Sequence, residues 1–335
     1  MSDIRWITEQ DVVSLLSLPD AIEALRQGLR EEAAGRAQNM VKTHVIWGGH
    51  ATMHAIGAVS EGEGAAGAKI WAHTPGGAMP LLIMIDSADG SVLAIIEAFA
   101  LGQMRTGGIS GLATALMARQ DARRMAMIGA GKQSITQIAA VAAVRPLDRI
   151  AIWSPTAAKR EQLAARTEDA LGIETIAAAS LEEALDGADV VTLATRATAP
   201  FLKSSMLARG VHLNAIGAIT PERAEFEHDL LNRADVIAAD SVPQARKLSR
   251  EFIDAFGTSD SAWGAVRPLS ALVAASAVRS AEADLSVFKA MGTGISDLSL
   301  GVTILKLAHA AGLGRMIPSP VRVSPRLTNH PAKRA

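Results

Sequence analysis

The chain has 335 residues, enough for two domains with cores of their own, and its formal net charge of -1 supplies no basic field for nucleic acid or an anionic membrane surface. It contains no cysteine, which excludes disulfides, thiolate zinc sites and a cysteine nucleophile and fits a reducing cytoplasm. Aromatic residues make up only 3% and alanine is abundant, a texture of tightly packed α/β proteins; with no apolar run of about 18 residues and no signal-peptide pattern in Met1 to Trp6, a soluble chain without a membrane partner is expected.

Ser17-Leu18-Pro19-Asp20 places a capping serine and a proline ahead of Ala21, Ile22, Leu25 and Leu29, so the spacing predicts an amphipathic helix running to Gly35. Short apolar runs between turn residues follow at Thr43 to Trp47, Thr52 to Val59, Ala68 to Ala72, Leu81 to Asp86 and Val92 to Glu97, which predict an antiparallel sheet. Asp86-Ser87-Ala88-Asp89-Gly90 reads as a hairpin turn. Thr106 to Ala118 is a linking helix, and after Asp121 the pattern alternates strand and helix. The strands are Arg124 to Ile128, Arg149 to Trp153, Val190 to Ala194, Val211 to Ile216 and Val236 to Ala239, with a helical segment around Leu181 to Leu185, which predicts a doubly wound parallel sheet of Rossmann type. A last helix after Asp297, through Gly301, Leu305 and Ala308, ends near Gly312 and Gly314, and Pro318 to Ala335 reads as an irregular tail.

The strand ending at Ile128 runs into Gly129-Ala130-Gly131-Lys132-Gln133-Ser134, where backbone amides and a helix N-terminus can seat a pyrophosphate. Ser134 stands where the dinucleotide fingerprint has a third glycine or alanine. At the end of the next strand, Trp153-Ser154-Pro155-Thr156 offers no carboxylate for a ribose diol, while Ser154, Thr156, Lys159 and Arg160 suit a 2′-phosphate; NADP is therefore favoured over NAD.

Several segments together resemble the ornithine cyclodeaminase/mu-crystallin family through most of the chain. They are Met53-His54-Ala55, Lys69, Met79-Pro80, Asp86 with Gly90, Arg105-Thr106, Gly129 to Gln133, Asn214 to Ala218, Pro221 with Glu225, Asp240-Ser241 before Gln244-Ala245, and Phe288-Lys289 before Gly292 and Asp297. The resemblance implies an α+β substrate-binding and dimerisation domain, residues 1–119 with 298–335, a Rossmann NAD(P)-binding domain over 120–297, an active site between them, and a homodimer. It implies hydride transfer between nicotinamide and the α-carbon of a small imino or amino acid.

The same resemblance makes Lys69 and Asp240 catalytic and assigns Lys42, His54, Lys69 and Arg105 to the substrate. It assigns Arg105, Thr106, Gly129 to Gln133, Thr195, Ile216, Gly217, Asp240, Lys289 and Gly292 to the cofactor, in addition to Ser154, Thr156 and Lys159 at the strand tip. An arginine suits a substrate carboxylate because its guanidinium binds two oxygens at once, and Lys69 lies in an apolar strand that lowers an ammonium's pKa. No histidine pair has metal-ligand spacing, so no metal is expected.

Two positions depart from the family pattern: Lys42 stands about where a second carboxylate-binding arginine is usual, and His54 replaces a proline. If Lys42, His44 and His54 converge with Arg105, the pocket suits a second substrate carboxylate. Glu61 and Glu63 are the available acids for an ornithine amine, yet Glu61-Gly62-Glu63-Gly64 reads as an exposed loop, so ornithine is not assigned. The leading reading is a reductase of α-imino acids such as pyrroline-2-carboxylate, with Lys69 or Asp240 handling the proton. The alternatives are a cyclodeaminase with catalytic NAD and ammonia release, and a non-catalytic NADPH-dependent binding protein like mu-crystallin.

Overall fold

The computed structural model describes residues 3–49, 51–276 and 279–327; the last part of the expected irregular tail, 328–335, lies outside the described residues. The strands of the first sheet are β1 (Ile4–Ile7), β2 (Ala37–Asn39), β3 (Thr43–Trp47), β4 (Ala51–Ser60), β5 (Ala65–His73), β6 (Leu81–Asp86) and β7 (Val92–Glu97). Those of the second are β8 (Arg124–Ile128), β9 (Arg149–Trp153), β10 (Glu174–Ala177), β11 (Val190–Leu193), β12 (Val211–Ala215), β13 (Ala234–Ala239), β14 (Val266–Pro268) and β15 (Leu285–Lys289); β16 (Arg315–Ile317) returns to the first. The helices are α1 (Glu9–Leu15), α2 (Leu18–Ala33), α3 (Phe99–Met117), α4 (Ser134–Ala142), α5 (Ala157–Leu171), α6 (Leu181–Leu185), α7 (Asp229–Arg233), α8 (Val242–Leu248), α9 (Arg250–Phe256), α10 (Asp260–Trp263), α11 (Leu269–Ala274) and α12 (Gly294–Ala311).

The first sheet runs β16-β1-β7-β6-β5-β4-β2, with β3 also paired to β4. From β7 to β4 it is antiparallel, as the alternating apolar runs predict, but β1 joins β7 in parallel. Gly90 closes the β6–β7 hairpin at φ 76°, and Asp86 Oδ1 accepts from Ala88 N at 2.8 Å. The opening helix is held by a capping box: Asp20 N donates to Ser17 Oγ at 3.3 Å and Ser17 N to the Asp20 carboxylate at 3.1 Å. The linking helix begins at Phe99, seven residues before Thr106, because the Glu9 carboxylate accepts from the amides of Phe99 and Ala100. That cap comes from a helix about ninety positions away.

The second sheet is parallel throughout in the order β10-β9-β8-β11-β12-β15-β13-β14, so the chain reverses its direction of travel between β8 and β11. A crevice opens at the carboxyl ends of the strands at such a reversal. α3 packs against α4 through Gly107 and Gly111, where a Cβ would lie 2.8 Å from the Thr136 and Ala140 carbonyl oxygens. One apolar cluster includes Leu25 and Leu29 of α2, Leu101 and Leu112 of α3, Leu269 and Leu272 of α11, Phe288 of β15 and Leu298 of α12, so the interior continues from one sheet to the other.

A buried polar ladder pins α3 to the parallel sheet. His212 Nδ1 meets Ser286 Oγ at 2.9 Å, His212 Nε2 meets Asn214 Oδ1 at 3.1 Å, and Asn214 Nδ2 donates to Thr114 Oγ1 at 2.9 Å. Burial pulls the His212 imidazole down to about 3, so the native state keeps it neutral while the unfolded chain binds its proton near pH 6.5. Between those two values the unfolded state carries more protons, and stability falls as pH falls, by about 1.4 kcal/mol per pH unit from this group. Urea denaturation from pH 6.5 to 4.5 is expected to show that slope in the wild type and a shallower one in His212→Asn.

Candidate functional site

The glycine turn sits at the crevice. Gly129 adopts φ 116°, and a Cβ there would lie 2.6 Å from the Ala194 carbonyl oxygen at the end of β11. The Ser134 hydroxyl donates to Gly129 O at 2.9 Å and accepts from Gly131 N at 3.0 Å, so the serine at the third fingerprint position closes the turn from within. Ala130, Gly131 and Lys132 border open space, and no side chain caps the N-terminus of α4, where Gln133 is the flanking residue. Its amides therefore suit a phosphate. Gln137 of α4 donates to Thr106 O at 3.0 Å, joining the turn to α3 and placing Thr106 beside it.

One buried carboxylate builds the opposite lip. Glu225 Oε1 accepts from Thr195 N at 2.7 Å and Thr195 Oγ1 at 2.8 Å, while Oε2 accepts from Gly217 N at 2.9 Å and Ala218 N at 3.0 Å. This fixes Thr195, Ile216 and Gly217 at the ends of β11 and β12. Behind it, Glu225 N donates to Glu251 Oε1 at 3.1 Å and Lys289 Nζ pairs with Glu251 at 3.2 Å. Lys289, expected at the cofactor, is 0% exposed, and its ammonium is held by an interior ion pair beneath the lip. At the tip of β9, the Ser154 hydroxyl turns inward to Thr156 O at 3.2 Å, Arg160 donates to Ser154 O at 2.9 Å, and Thr156 and Lys159 are exposed.

Asp240 follows directly on β13 and is 4% exposed; its oxygens accept from Met291 N at 2.7 Å and Gly292 N at 2.8 Å. Burial raises its pKa above the ordinary aspartate value against those two amides and Arg105. Gln244 Nε2 donates to Gly292 O at 3.1 Å. Gly292 holds φ 81°, and a Cβ there would lie 2.9 Å from Arg105 Nη1, so the loop can seat the guanidinium only with glycine at this place.

The centre is a triad that sequence reasoning did not assemble. Lys69 Nζ of β5 lies 2.5 Å from Asp297 Oδ1, and Arg105 Nε of α3 lies 3.3 Å from the same oxygen. Asp297 stands in the first turn of α12, is 1% exposed, and its Oδ2 has no hydrogen-bond partner. It entered the sequence reading only within a resembling segment, without a role; an acid near a helix start reads locally as a capping charge. Burial, with Arg105 and Lys42 close by, lowers the Lys69 ammonium to about 8 in spite of Asp297. Burial, and then Arg105, also lowers half-buried Lys42. Lys42, Lys69 and Arg105 thus share the neighbourhood of two acids, one of which resists ionising, leaving a positive excess that suits a substrate carboxylate.

His54 stacks on Trp71 at 4.8 Å and on His44 at 5.6 Å. Glu63, an expected loop acid, pairs with Lys306 at 2.6 Å, and Glu61 is exposed. Among the described residues no group of three histidine, aspartate or glutamate side chains is placed to hold a metal ion. No helix of the described residues is long and apolar enough to cross a membrane.

Fold and site together define a Rossmann-type protein with a cation-rich cluster beside its nucleotide crevice. The model of the ornithine cyclodeaminase/mu-crystallin family matches residues 5–310, and the chain belongs to that family. It is similar to a Delta(1)-pyrroline-2-carboxylate reductase of Bacillus cereus, 25% identical over 327 residues that cover 93% of this chain and 98% of the relative. Its fold matches the Thermococcus litoralis Delta(1)-pyrroline-2-carboxylate reductase solved with NADH and L-proline, with a TM-score of 0.87 at 24% identity, covering 94% of this chain and 100% of that one. The iminosuccinate reductase of Paracoccus denitrificans solved with NAD+ gives a TM-score of 0.87 at 24% identity, covering 94% and 99%.

Proposed function

We propose that this chain is a nicotinamide-dependent reductase of small α-imino acids, with the arrangement of Lys69, Asp297 and Arg105 as the observation that carries the reading. The Gly129 turn, the uncapped α4 and the Glu225-bound lip would hold the dinucleotide, which supplies a hydride for the substrate's α-carbon. Arg105 binds the α-carboxylate, and Lys42 adds to the positive field on the substrate. Lys69 gives the proton that the imine nitrogen takes up as its π bond to carbon breaks, and solvent reprotonates the amine. Asp240 braces the Met291–Gly292 loop against Arg105, so its role is to position the guanidinium. The relatives named for pyrroline-2-carboxylate and iminosuccinate reduction support the reaction class.

A cyclodeaminase needs an acid for a distal amine, and Glu63 is already engaged by Lys306. Retention of the triad argues against a binder without chemistry. The test is a panel of imino and amino acids with NADH and NADPH: one nicotinamide oxidised per product supports the reductase, whereas ammonia release without net cofactor change supports the cyclodeaminase.

NADP is the proposed cofactor. α5 begins without a side-chain cap and without an acid in its first turn, beside Lys159 and Arg160, which suits a 2′-phosphate. Lys159→Ala/Arg160→Ala is expected to lower the preference for NADPH over NADH about tenfold or more, read from the two Kd values.

The functional units are proposed as 1–119 with 298–335 and 120–297, acting as a cytoplasmic homodimer. The reason for the dimer is the outer face of the first sheet, where exposed Val45 and Met53 and half-buried Ile70, Ile83 and Ile95 lie on one face. Val45 is 58% exposed. Light scattering is expected to return twice the chain mass, and Met53→Glu/Ile83→Glu to return the mass of one chain.

A further inference from the structure

The face of the first sheet that carries Lys69 continues past it in one direction. Residues two apart on a strand share a face, about 7 Å apart. Trp71 and His73 therefore follow Lys69 on β5; the register sets His54 opposite Trp71 and His44 opposite His54, with Thr52 opposite His73. The side chains bear this out: Lys69 Nζ lies 5.2 Å from the Trp71 ring centre, Trp71 stacks on His54, and His54 stacks on His44. The Thr52 hydroxyl takes up His54 Nε2 at 2.9 Å, while His54 Nδ1 has no partner.

This wall holds donors and cations. Burial lowers the His54 pKa to about 4, and the Lys42 ammonium pushes it the same way. Lys42 links the wall to the triad, since it also acts on Lys69. The two acids, Asp240 and Asp297, are engaged at the Met291 and Gly292 amides and at Lys69, and both also act on Lys42. A ring of methylenes can use only the Trp71 face of this surface, whereas an anion also gains a charge-assisted hydrogen bond from Lys42 and hydrogen bonds from the histidines.

We propose that the wall of Lys42, His54 and His44 receives a second carboxylate, so that the substrate is a short acyclic 2-iminodicarboxylate of the iminosuccinate type. This rests on the reductase reading and narrows its substrate. Arg105 holds the α-carboxylate and Lys42 with the histidines holds the distal one. The α-carbon gains the hydride, the C=N π bond breaks, the nitrogen gains a proton from Lys69, and the product is a dicarboxylic amino acid such as aspartate.

The test uses the full chain with oxaloacetate plus ammonium as the source of iminosuccinate, pyruvate plus ammonium as the source of the imine lacking the second carboxylate, and Δ1-pyrroline-2-carboxylate as the cyclic imine. The kcat/KM for the first is expected to exceed the other two by about thirtyfold or more, the value of one or two hydrogen bonds to a charged group. Lys42→Met and His54→Leu are expected to lower that preference about tenfold or more, each variant first shown to bind NADPH and to melt near the wild type. Calorimetry on nucleotide-loaded protein gives a readout apart from turnover: L-aspartate is expected to bind more tightly than L-alanine or L-proline. Preference for the cyclic imine, or equal losses on all three substrates in both variants, overturns the second-carboxylate site and leaves the reductase reading standing. If no imine is reduced the reductase reading falls, and L-aspartate binding no tighter than L-alanine then overturns the site as well.

Discussion

Lys69→Met is expected to lower kcat/KM for imine reduction by about a thousandfold or more while NADPH affinity changes less than threefold, because general acid catalysis contributes about 10²–10⁴ and the glycine turn is left untouched. Methionine retains the apolar stem in a site where the lysine is 4% exposed, and Arg105 remains to neutralise Asp297. The pH profile separates this from a loss of packing. With its pKa at about 8, the Lys69 ammonium is the proton-loaded form below that value, so wild-type reduction falls as pH rises through 8 and oxidation of the amino acid rises over the same interval. The variant loses that limb in both directions. Retention of the limb would show that another group supplies the proton.

Asp297→Asn tests the same triad from the other side. Asp297 is the group that favours the Lys69 ammonium, and its carboxylate is also in reach of Arg105. Removing the charge leaves burial, Arg105 and Lys42 to act on Lys69 unopposed, so the alkaline limb is expected to move toward acid by about one pH unit or more, with kcat/KM at pH 8 down about fivefold or more. A merely structural aspartate would lower activity without displacing the limb. The asparagine preserves shape and can still accept from Lys69.

The glycine turn and the buried strands of the parallel sheet were legible because their signals are local: β8 and β9 are apolar runs bounded by charged and turn residues, and their ends coincide with the expected ones. β6 and β7 match as well, alternating in burial with a period of two, and β3 matches as a short run between turn residues although all of it is exposed. β15 escaped because Ser286 and Lys289 break its apolar character, and only distant residues, His212 and Glu251, make those polar groups tolerable inside. β1, α1 and the true start of α3 depend on one another through Glu9 and Glu97, and no window of sequence holds all three.

The site shows the same division. Arg105, Lys69 and Asp240 were expected as individuals from the resemblance, but the link that joins Lys69 to Asp297 crosses 228 positions. Lys289 was expected at the cofactor from the resemblance alone, and the buried Glu251 that pairs with its ammonium lies on a separate helix, out of reach of any local reading. Ser134 reads as a departure from a fingerprint and acts as the hydroxyl that closes the turn.

The most direct measurement follows a label. With NADPH deuterated at the transferable position of its nicotinamide and an α-imino acid as the other substrate, the amino acid product is expected to carry one deuterium at its α-carbon, with one cofactor oxidised per molecule formed. Tight cofactor binding with no label transferred to any imino acid, and no cofactor consumed, would contradict the account.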